Sequence, residues 1–311
     1  MNTLIKNIIK DAFLYMYPVV YVLGTLGNMS AFFVFSRKRF RNTIFAVYFR
    51  ILVITDSYAL IYSINDFTSI KFNMDIQETN PFICKFFFYL LFSIGPVSPW
   101  LLVMVSLDRM LKVKRPTGFA FLKKRSFQLI YCAAVIVLNF AYYVPQAIFK
   151  NITIFNETEA DTNMSVITEY CYNSDENEIV GWMDLLNSTV LPFTFMILFS
   201  SLTIIFLVKS RRRALKQKER VLSPRDIKFS VTSIAFNVAF LVLNIPIVVL
   251  NIIWRYMDDA EFEFYNTVFS LFFYINFGML FYINFFFNSI FRDEVFAILG
   301  KKKLKNTSQT T

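Results

Sequence analysis

The stretch Cys84-KFFFYLLFSIGPVSPWLLVMVSLDRMLKVK-Arg115 decides how the chain can fold. No charged residue lies between Lys85 and Asp108. Roughly twenty apolar residues, each adding about 1.5 Å, match a hydrocarbon layer about 30 Å thick. The stretch therefore predicts a membrane-spanning helix. One of its ends carries the acid–base pair Asp108 and Arg109, at a depth where charge is costly and rarely accidental.

The composition places the whole chain in a lipid bilayer. Of its 311 residues 56% are apolar and 17% charged, whereas soluble domains are less apolar and more charged. The net charge of +10 comes from basic residues between apolar runs, a pattern of membrane orientation rather than of nucleic-acid binding. With no His, three Cys and no recognisable nucleophile–base pair, we expect neither an enzyme nor a metal site.

Seven apolar runs predict an all-α membrane protein, a seven-transmembrane helix bundle. The runs cover residues 12–35, 44–66, 85–111, 126–149, 185–209, 227–254 and 264–287. None alternates regularly between polar and apolar residues, which argues against a transmembrane barrel. The predicted parts of the chain are an N-terminus over 1–11, the bundle over 12–287, a short amphipathic helix over 288–300 and a basic tail over 301–311.

The predicted amphipathic helix follows the seventh run. Phe291, Val295 and Leu299 recur every four residues, while Arg292, Asp293 and Glu294 are placed near the opposite face. This pattern favours a helix lying in the membrane interface, with Gly300 as its C-terminal stop. Simple continuation of the seventh helix remains the alternative.

Charge and glycan acceptor patterns agree on the orientation. Basic clusters follow the first, third, fifth and seventh runs, so these segments and the C-terminus are predicted to be cytoplasmic and the N-terminus extracellular. The second outer loop carries acceptor tripeptides at Asn151, Asn156 and Asn163. A similar tripeptide at Asn187 lies in an apolar run and is taken as coincidental. We expect a multi-pass glycoprotein of the plasma membrane.

Asp56 is the buried polar residue that most needs an explanation. It lies mid-way in the second run, in LVITDSYAL, where a lone carboxylate costs about 2.5–3.5 kcal/mol. One interpretation is a structural residue paired with Asn28 or Asn276. The other is an ion or proton site coupled to switching, with sodium as the candidate ion and the one cofactor considered. Both remain open.

Residues spread along the chain resemble the rhodopsin-like G-protein-coupled receptors. The residues that carry this resemblance are Gly27, Asn28, Leu52, Asp56, Cys84, Leu107, Asp108, Arg109, Pro192, Phe240, Pro246, Asn276, Phe291 and Arg292. They occur in the family's order and at its spacing, and they cover nearly the whole chain. The resemblance implies a receptor with an extracellular ligand and a heterotrimeric G protein as its inner partner.

The resemblance also implies roles for individual residues. Cys84 is expected to form a disulfide with Cys171 and so tie the second outer loop to the third helix. A core switch within the membrane is expected from residues on five of the spans. These are Asn28, Asp56, Pro192, Phe240, Asn244, Pro246 and Asn276.

The resemblance further implies an ion-pair lock at the cytoplasmic end. Arg109 is expected to pair with its neighbour Asp108 and with Asp226, twenty residues before Pro246. Rupture of the lock would let the sixth helix move outward and admit a helix of the G protein. The alternative is that Asp226 only balances nearby basic residues in a solvated loop.

Several positions depart from the family pattern. Asn244 stands where many members carry a tryptophan, and Ser200 where a tyrosine is common. The family's Asn-Pro-x-x-Tyr motif becomes residues 280–284, Leu-Phe-Tyr-Ile-Asn, without its helix-kinking proline. Pro96 and Pro99 predict two kinks in the third helix. These departures are typical of a divergent, invertebrate-type branch.

The ligand class is read from the outer half of the chain. Leu91 stands where amine receptors place an aspartate, which disfavours a biogenic amine. The outer loops are rich in Asp and Glu and would steer a cationic ligand, although ordinary solvation of the loop explains them equally well. The hypothesis is a peptide receptor for a basic neuropeptide, with a small apolar or lipid ligand as the alternative. The residues predicted to line the pocket are Phe88, Leu91, Phe92, Asn244, Ser270 and Tyr274.

A transporter or channel is the competing class of protein. Transporters often contain an internal repeat and paired broken helices. No repeat is recognisable here, and Asp56 is read as the only ionisable residue deep in a span. The sequence therefore favours the receptor.

Overall fold

The computed structural model describes residues 3–41, 44–115, 124–158, 165–173, 178–217 and 224–300. Asn163 and the tail over 301–311 lie outside these residues. Within them, six helices are long and apolar enough to cross a membrane, and a bent pair of helices makes a seventh span. The chain is thus a multi-pass membrane protein, and the predicted seven-helix bundle is confirmed.

The helices and strands follow the predicted runs with different boundaries. In chain order they are α1 (Thr3–Leu14), α2 (Met16–Ser36), α3 (Lys38–Arg41), α4 (Ile44–Phe72), α5 (Pro81–Ile94), α6 (Val97–Lys114), α7 (Arg125–Tyr142), α8 (Val144–Phe149), β1 (Lys150–Thr158), β2 (Ser165–Asn173), α9 (Glu178–Asp184), α10 (Leu191–Gln217), α11 (Pro224–Ile253), α12 (Asp259–Gly278), α13 (Leu280–Phe287) and α14 (Ser289–Ile298). Spans 1 to 7 are α1–α2, α4, α5–α6, α7, α9–α10, α11 and α12–α13.

The N-terminal segment is helical, in contrast to the predicted boundary at residue 12. Helix α1 begins at Thr3 and is continuous with α2 except at Tyr15. The lysines that made this segment look like a polar tail are neutralised in pairs. Lys6 Nζ lies 2.7 Å from Glu261 Oε1, and Lys10 Nζ lies 2.5 Å from Glu263 Oε1, both on α12. The first span therefore packs against the seventh over its whole length.

Span 3 breaks once rather than at both prolines. Helix α5 ends at Ile94, and α6 begins at Val97 after the Gly95-Pro96 step. Pro99 lies in the first turn of α6, where its missing N–H has no helical acceptor to lose. The second predicted kink is therefore absent.

Span 7 bends by 60° between α12 and α13 although the family's proline is absent. A close approach of two glycines accompanies the bend. A Cβ atom added to Gly278 would lie 2.8 Å from the Gly24 Cα on span 1, which is closer than side chains pack. Small residues let membrane helices approach in this way. The bend therefore lies where two backbones meet.

The loop between spans 4 and 5 contains a hairpin that the sequence pattern did not predict. Strands β1 and β2 pair antiparallel, with Ile152 opposite Cys171. Their β-branched residues favour strands. The glycan acceptors Asn151 and Asn156 both lie on β1.

The end of the bundle opposite the hairpin is closed by aromatic rings and by α14. Phe35 packs against Phe49 and Phe291, with ring centroids 4.9 and 5.2 Å apart. The Asn288 side chain caps α14 by accepting hydrogen bonds from its first turn. The helix predicted over 288–300 is thus a separate element, folded against span 1 and the segment that follows it.

Glu294 was placed on the wrong face of this helix. Its side chain is 2% exposed and its Oε1 atom lies 2.7 Å from Arg37 Nε; its Oε2 atom lies 3.6 Å from an Arg39 nitrogen. A buried carboxylate needs such partners. The pattern of α14 could not show them because they belong to the segment after span 1.

We expect Gly278→Ala to lower the stability of the bundle. The added methyl would overlap Gly24, and overpacking of this kind costs about 1–3 kcal/mol. Gly181→Ala is the matched control, since its Cβ would meet nothing within 4 Å. Thermal unfolding in detergent should show a lower midpoint for Gly278→Ala alone. Equal midpoints for the two variants would contradict the close approach.

Candidate functional site

The disulfide end of the bundle is defined by Cys84 and Cys171, which are bonded with their Cα atoms 5.8 Å apart. Cys84 lies in the first turn of α5 and is completely buried. The bond fixes β2 over the start of span 3. The predicted disulfide is confirmed.

The arginine end of the bundle is organised around Arg109, whose side chain is 1% exposed. Its Nη2 atom lies 2.5 Å from Asp108 Oδ2, and its Nε donates to the same oxygen at 3.2 Å. The guanidinium also lies over the Phe229 ring, 5.8 Å from its centroid. A buried cation without such partners would cost several kcal/mol, so Asp108 is what permits the burial of Arg109.

Asp226 reaches the same guanidinium from span 6. Its Oδ1 atom lies 3.8 Å from Arg109 Nη1, and its side chain is 34% exposed. The structure therefore brings together the three residues of the predicted lock. Solvent screening of a partly exposed pair limits its contribution to at most about 1 kcal/mol. The contact is weak enough to break without unfolding the bundle.

A second tie between spans 3, 5 and 6 lies above the lock and was not predicted. The Asn237 amide donates to Ser106 Oγ at 2.8 Å and to Ser200 Oγ at 2.7 Å. Asn237 is 2% exposed, and an amide in hydrocarbon is stable only when its donors are satisfied. Ser200 thus has a partner in this structure, although the family's tyrosine is missing there.

Asp56 is bound by a residue other than those expected. The Ser98 hydroxyl donates to the Asp56 carboxylate and also lies 3.0 Å from the Thr55 hydroxyl. Asn28 instead donates to the Phe277 carbonyl at 3.1 Å. The structural pairing of Asp56 with Asn28 is therefore wrong.

A small cavity lies beside Asp56, with a volume of about 10 Å³. Ser98 and Asn276 also line it, and within the described part of the chain the Asn276 Oδ1 atom has no hydrogen-bond partner. A carboxylate, a hydroxyl and an amide oxygen are the donor types that hard cations take. These three residues fit a small cation of the sodium type.

The other residues of the predicted core switch lie on spans 5 and 6. Pro246 is inside α11, and the Asn244 amide donates to the Phe240 carbonyl one turn earlier at 2.7 Å. Phe240 packs edge-on against Phe193, with centroids 5.3 Å apart. Pro192 is the second residue of α10, directly after a π-helical turn over Leu185–Val190. Asn244 is therefore a satisfied, buried amide rather than an open pocket group.

The π-helical turn before α10 ties spans 3, 4 and 5 through one asparagine. The Asn187 amide donates to Asn139 Oδ1 at 2.8 Å, and Trp100 Nε1 donates to Asn187 Oδ1 at 3.1 Å. Tyr143 donates to Asp184 at 2.7 Å in the same region. The Asn187 side chain therefore forms hydrogen bonds between spans, which agrees with the interpretation of its tripeptide as a coincidental glycan acceptor pattern.

The predicted pocket residues fall into separate groups. Phe92 stacks on Phe88 and on Tyr143, with centroids 6.4 and 6.0 Å apart. Leu91 packs instead against the cluster of spans 1, 2 and 7 that contains Tyr274. The packing of these residues leaves the predicted pocket as a prediction.

Asp66 is the functional candidate that the sequence analysis missed. The Tyr274 hydroxyl donates to Asp66 Oδ2 at 2.6 Å. The second run was predicted to end at residue 66, so its acid was read as a boundary; helix α4 continues to Phe72. Only the full extent of α4 shows that Asp66 lies inside the helix. Span 2 therefore contains two carboxylates, Asp56 and Asp66.

We expect Cys84→Ser and Cys171→Ser each to lower the free energy of unfolding by about 2–5 kcal/mol, because either change removes the same cross-link. The double variant should lose no more than either single one. Cys132→Ala is the control, since Cys132 is the free, buried cysteine. Unfolded without reductant, the wild-type chain should show one reactive thiol; three would contradict the bond.

The comparisons with known proteins agree with this architecture. The family model described as 7 transmembrane receptor (rhodopsin family) matches residues 27–290, which include all seven spans from Gly27 onward. A search of curated proteins finds no match for the chain. Because the matched region covers most of the chain, this protein belongs to the rhodopsin family of seven-transmembrane receptors.

Proposed function

We propose that this receptor transmits a signal by opening the contact between Arg109 and Asp226. The observation that carries the proposal is the 3.8 Å approach of these groups across spans 3 and 6. The Asp108 contact is buried and the Asp226 contact is partly exposed. Loss of the weaker contact would free span 6 while Arg109 stays paired, and would open a cleft for a heterotrimeric G protein.

The disulfide end then faces the exterior, where the ligand binds. Basic clusters after spans 1, 3, 5 and 7 support a cytoplasmic arginine end and C-terminus. The glycan acceptors on β1 support the same orientation at the plasma membrane. The family assignment also favours a receptor over a transporter or channel.

We propose a basic peptide, of the neuropeptide type, as the ligand. The hairpin loop and the start of span 7 carry many more acids than bases, so their field attracts cations. Two of the acids, Glu261 and Glu263, are already paired with lysines of α1. The attraction therefore rests on the acids of the hairpin loop and on Asp258 and Asp259.

The cavity at Asp56 is proposed to take a sodium ion. Asp56, Ser98 and Asn276 would hold it through oxygen atoms. Such a cation would neutralise the carboxylate inside the bundle.

We expect Asp226→Asn to raise basal G-protein recruitment by about two- to fivefold. Removing the charge weakens a partly exposed ion pair worth about 0.5–1 kcal/mol, and about 1.4 kcal/mol corresponds to a tenfold change in equilibrium. Asp293→Asn is the control, because it neutralises an acid on α14 instead. Recruitment is compared at equal surface expression. Unchanged basal recruitment in Asp226→Asn would rule out the lock.

Pools of cationic and anionic peptides should separate the ligand classes. With recruitment as the readout, the cationic pool is expected to activate the receptor and to lose potency at high salt, because surface attraction is screened. The anionic pool is the control of equal size. A response limited to anionic peptides or to lipids would overturn the basic peptide.

A further inference from the structure

Asp66 is an acid held inside the outer part of the bundle. It lies on α4, six residues before the helix ends at Phe72, or about 9 Å along the axis. The residue as a whole is only partly exposed. Tyr274 donates one hydrogen bond to it from span 7. An acid at this depth is costly unless its charge is used or balanced.

No basic side chain balances this acid among the residues that the structure describes. No lysine or arginine nitrogen there lies within 4.0 Å of Asp66. Lys71, the next lysine along α4, lies over the Tyr15 ring instead, 5.0 Å from its centroid. Asp75 is close enough to Asp66 to add to the negative field. The local charge is therefore negative, with one neutral hydrogen-bond donor.

Buried tyrosines lie near the acid. The Tyr17 and Tyr274 rings lie 5.7 Å apart, and both tyrosines interact electrostatically with Asp66. Tyr62 is close to Tyr274 and packs against Phe87, with centroids 4.7 Å apart. A carboxylate with tyrosines nearby is suited to an organic cation, which gains an ion pair with the acid and contacts with the neighbouring side chains. It is poorly suited to an anion or to an aliphatic chain.

We propose that Asp66, with Tyr17, Tyr62 and Tyr274, binds an ammonium or guanidinium group of the ligand. The inference rests on the proposed function and deepens it by naming the chemical group that is recognised and its position. The sequence places a leucine at position 91, where amine receptors carry their acid, and Leu91 packs against this same cluster.

The site can be tested without a known ligand, through the charge selectivity of a reporter thiol. Ser270→Cys is a conservative reporter, because the Ser270 hydroxyl interacts with Tyr17 beside Asp66. The probes are the trimethylammonium-ethyl and sulfonatoethyl methanethiosulfonates, which are similar in size and opposite in charge. Labelling rates are measured on intact cells, and the wild-type receptor gives the background.

We expect the cationic reagent to react at least about tenfold faster with Ser270→Cys, since a focused negative site concentrates cations. Adding Asp66→Asn should reduce this ratio by about tenfold. Adding Asp75→Asn, which removes the neighbouring acid, should change it by less than about twofold. A ratio near one, an equal loss in Asp75→Asn, or no labelling by either reagent would overturn the site.

If the Ser270→Cys receptor is not expressed at the cell surface, the same labelling rates are measured with Leu91→Cys. The result does not depend on signalling. A receptor that recruits no G protein but labels selectively would refute only the proposed function. A receptor that recruits normally without charge selectivity would refute only the cation site.

Discussion

Burial of the Arg109 guanidinium is the constraint on which the arginine end depends. Within the part of the chain that the structure describes, Arg109 has the largest of the almost completely buried side chains. Asp108 supplies its close ion pair, Phe229 a ring face and Asp226 a weaker contact from another span. Because an unpaired charge there would cost several kcal/mol, any rearrangement must keep one of these acids on the arginine. In the proposed opening, Asp108 would stay on the arginine while span 6 moves.

Small polar residues and glycines make contacts between spans at positions where the family pattern has other residues. Asn237 joins spans 3, 5 and 6 through the hydroxyls of Ser106 and Ser200, where a tyrosine is common. Span 7 bends beside the contact of Gly24 and Gly278 without a proline. In a bilayer every buried donor must find a partner inside the protein. Small polar residues and glycines therefore keep the spans together, and the departures leave the fold intact.

The features that could be predicted from the sequence are those that depend on hydrophobic pattern and on the spacing of motifs. Apolar runs predicted the spans, and the family's spacing predicted the disulfide and the two acids that meet at Arg109. Prediction failed where a partner is distant in the chain: Lys6 and Lys10 looked like a polar tail because Glu261 and Glu263 are about 250 residues away. Glu294 looked solvated for the same reason. Asp66 was missed because the end of an apolar run is a poor guide to the end of a helix.

Span 7 connects the features that the two acids of span 2 create. Asp66 and Asp56 are ten residues apart on α4, or about 15 Å along its axis. Tyr274 of span 7 donates a hydrogen bond to Asp66, and Asn276 of the same span lines the cavity beside Asp56. Met279, where span 7 bends, is three residues after Asn276. Helices α13 and α14 follow the bend, and Glu294 of α14 forms an ion pair with Arg37. A shift of span 7 along span 2 must alter both acid sites together. The cation proposed to bind at Asp66 and Tyr274 would therefore contact the same two spans that line the Asp56 cavity.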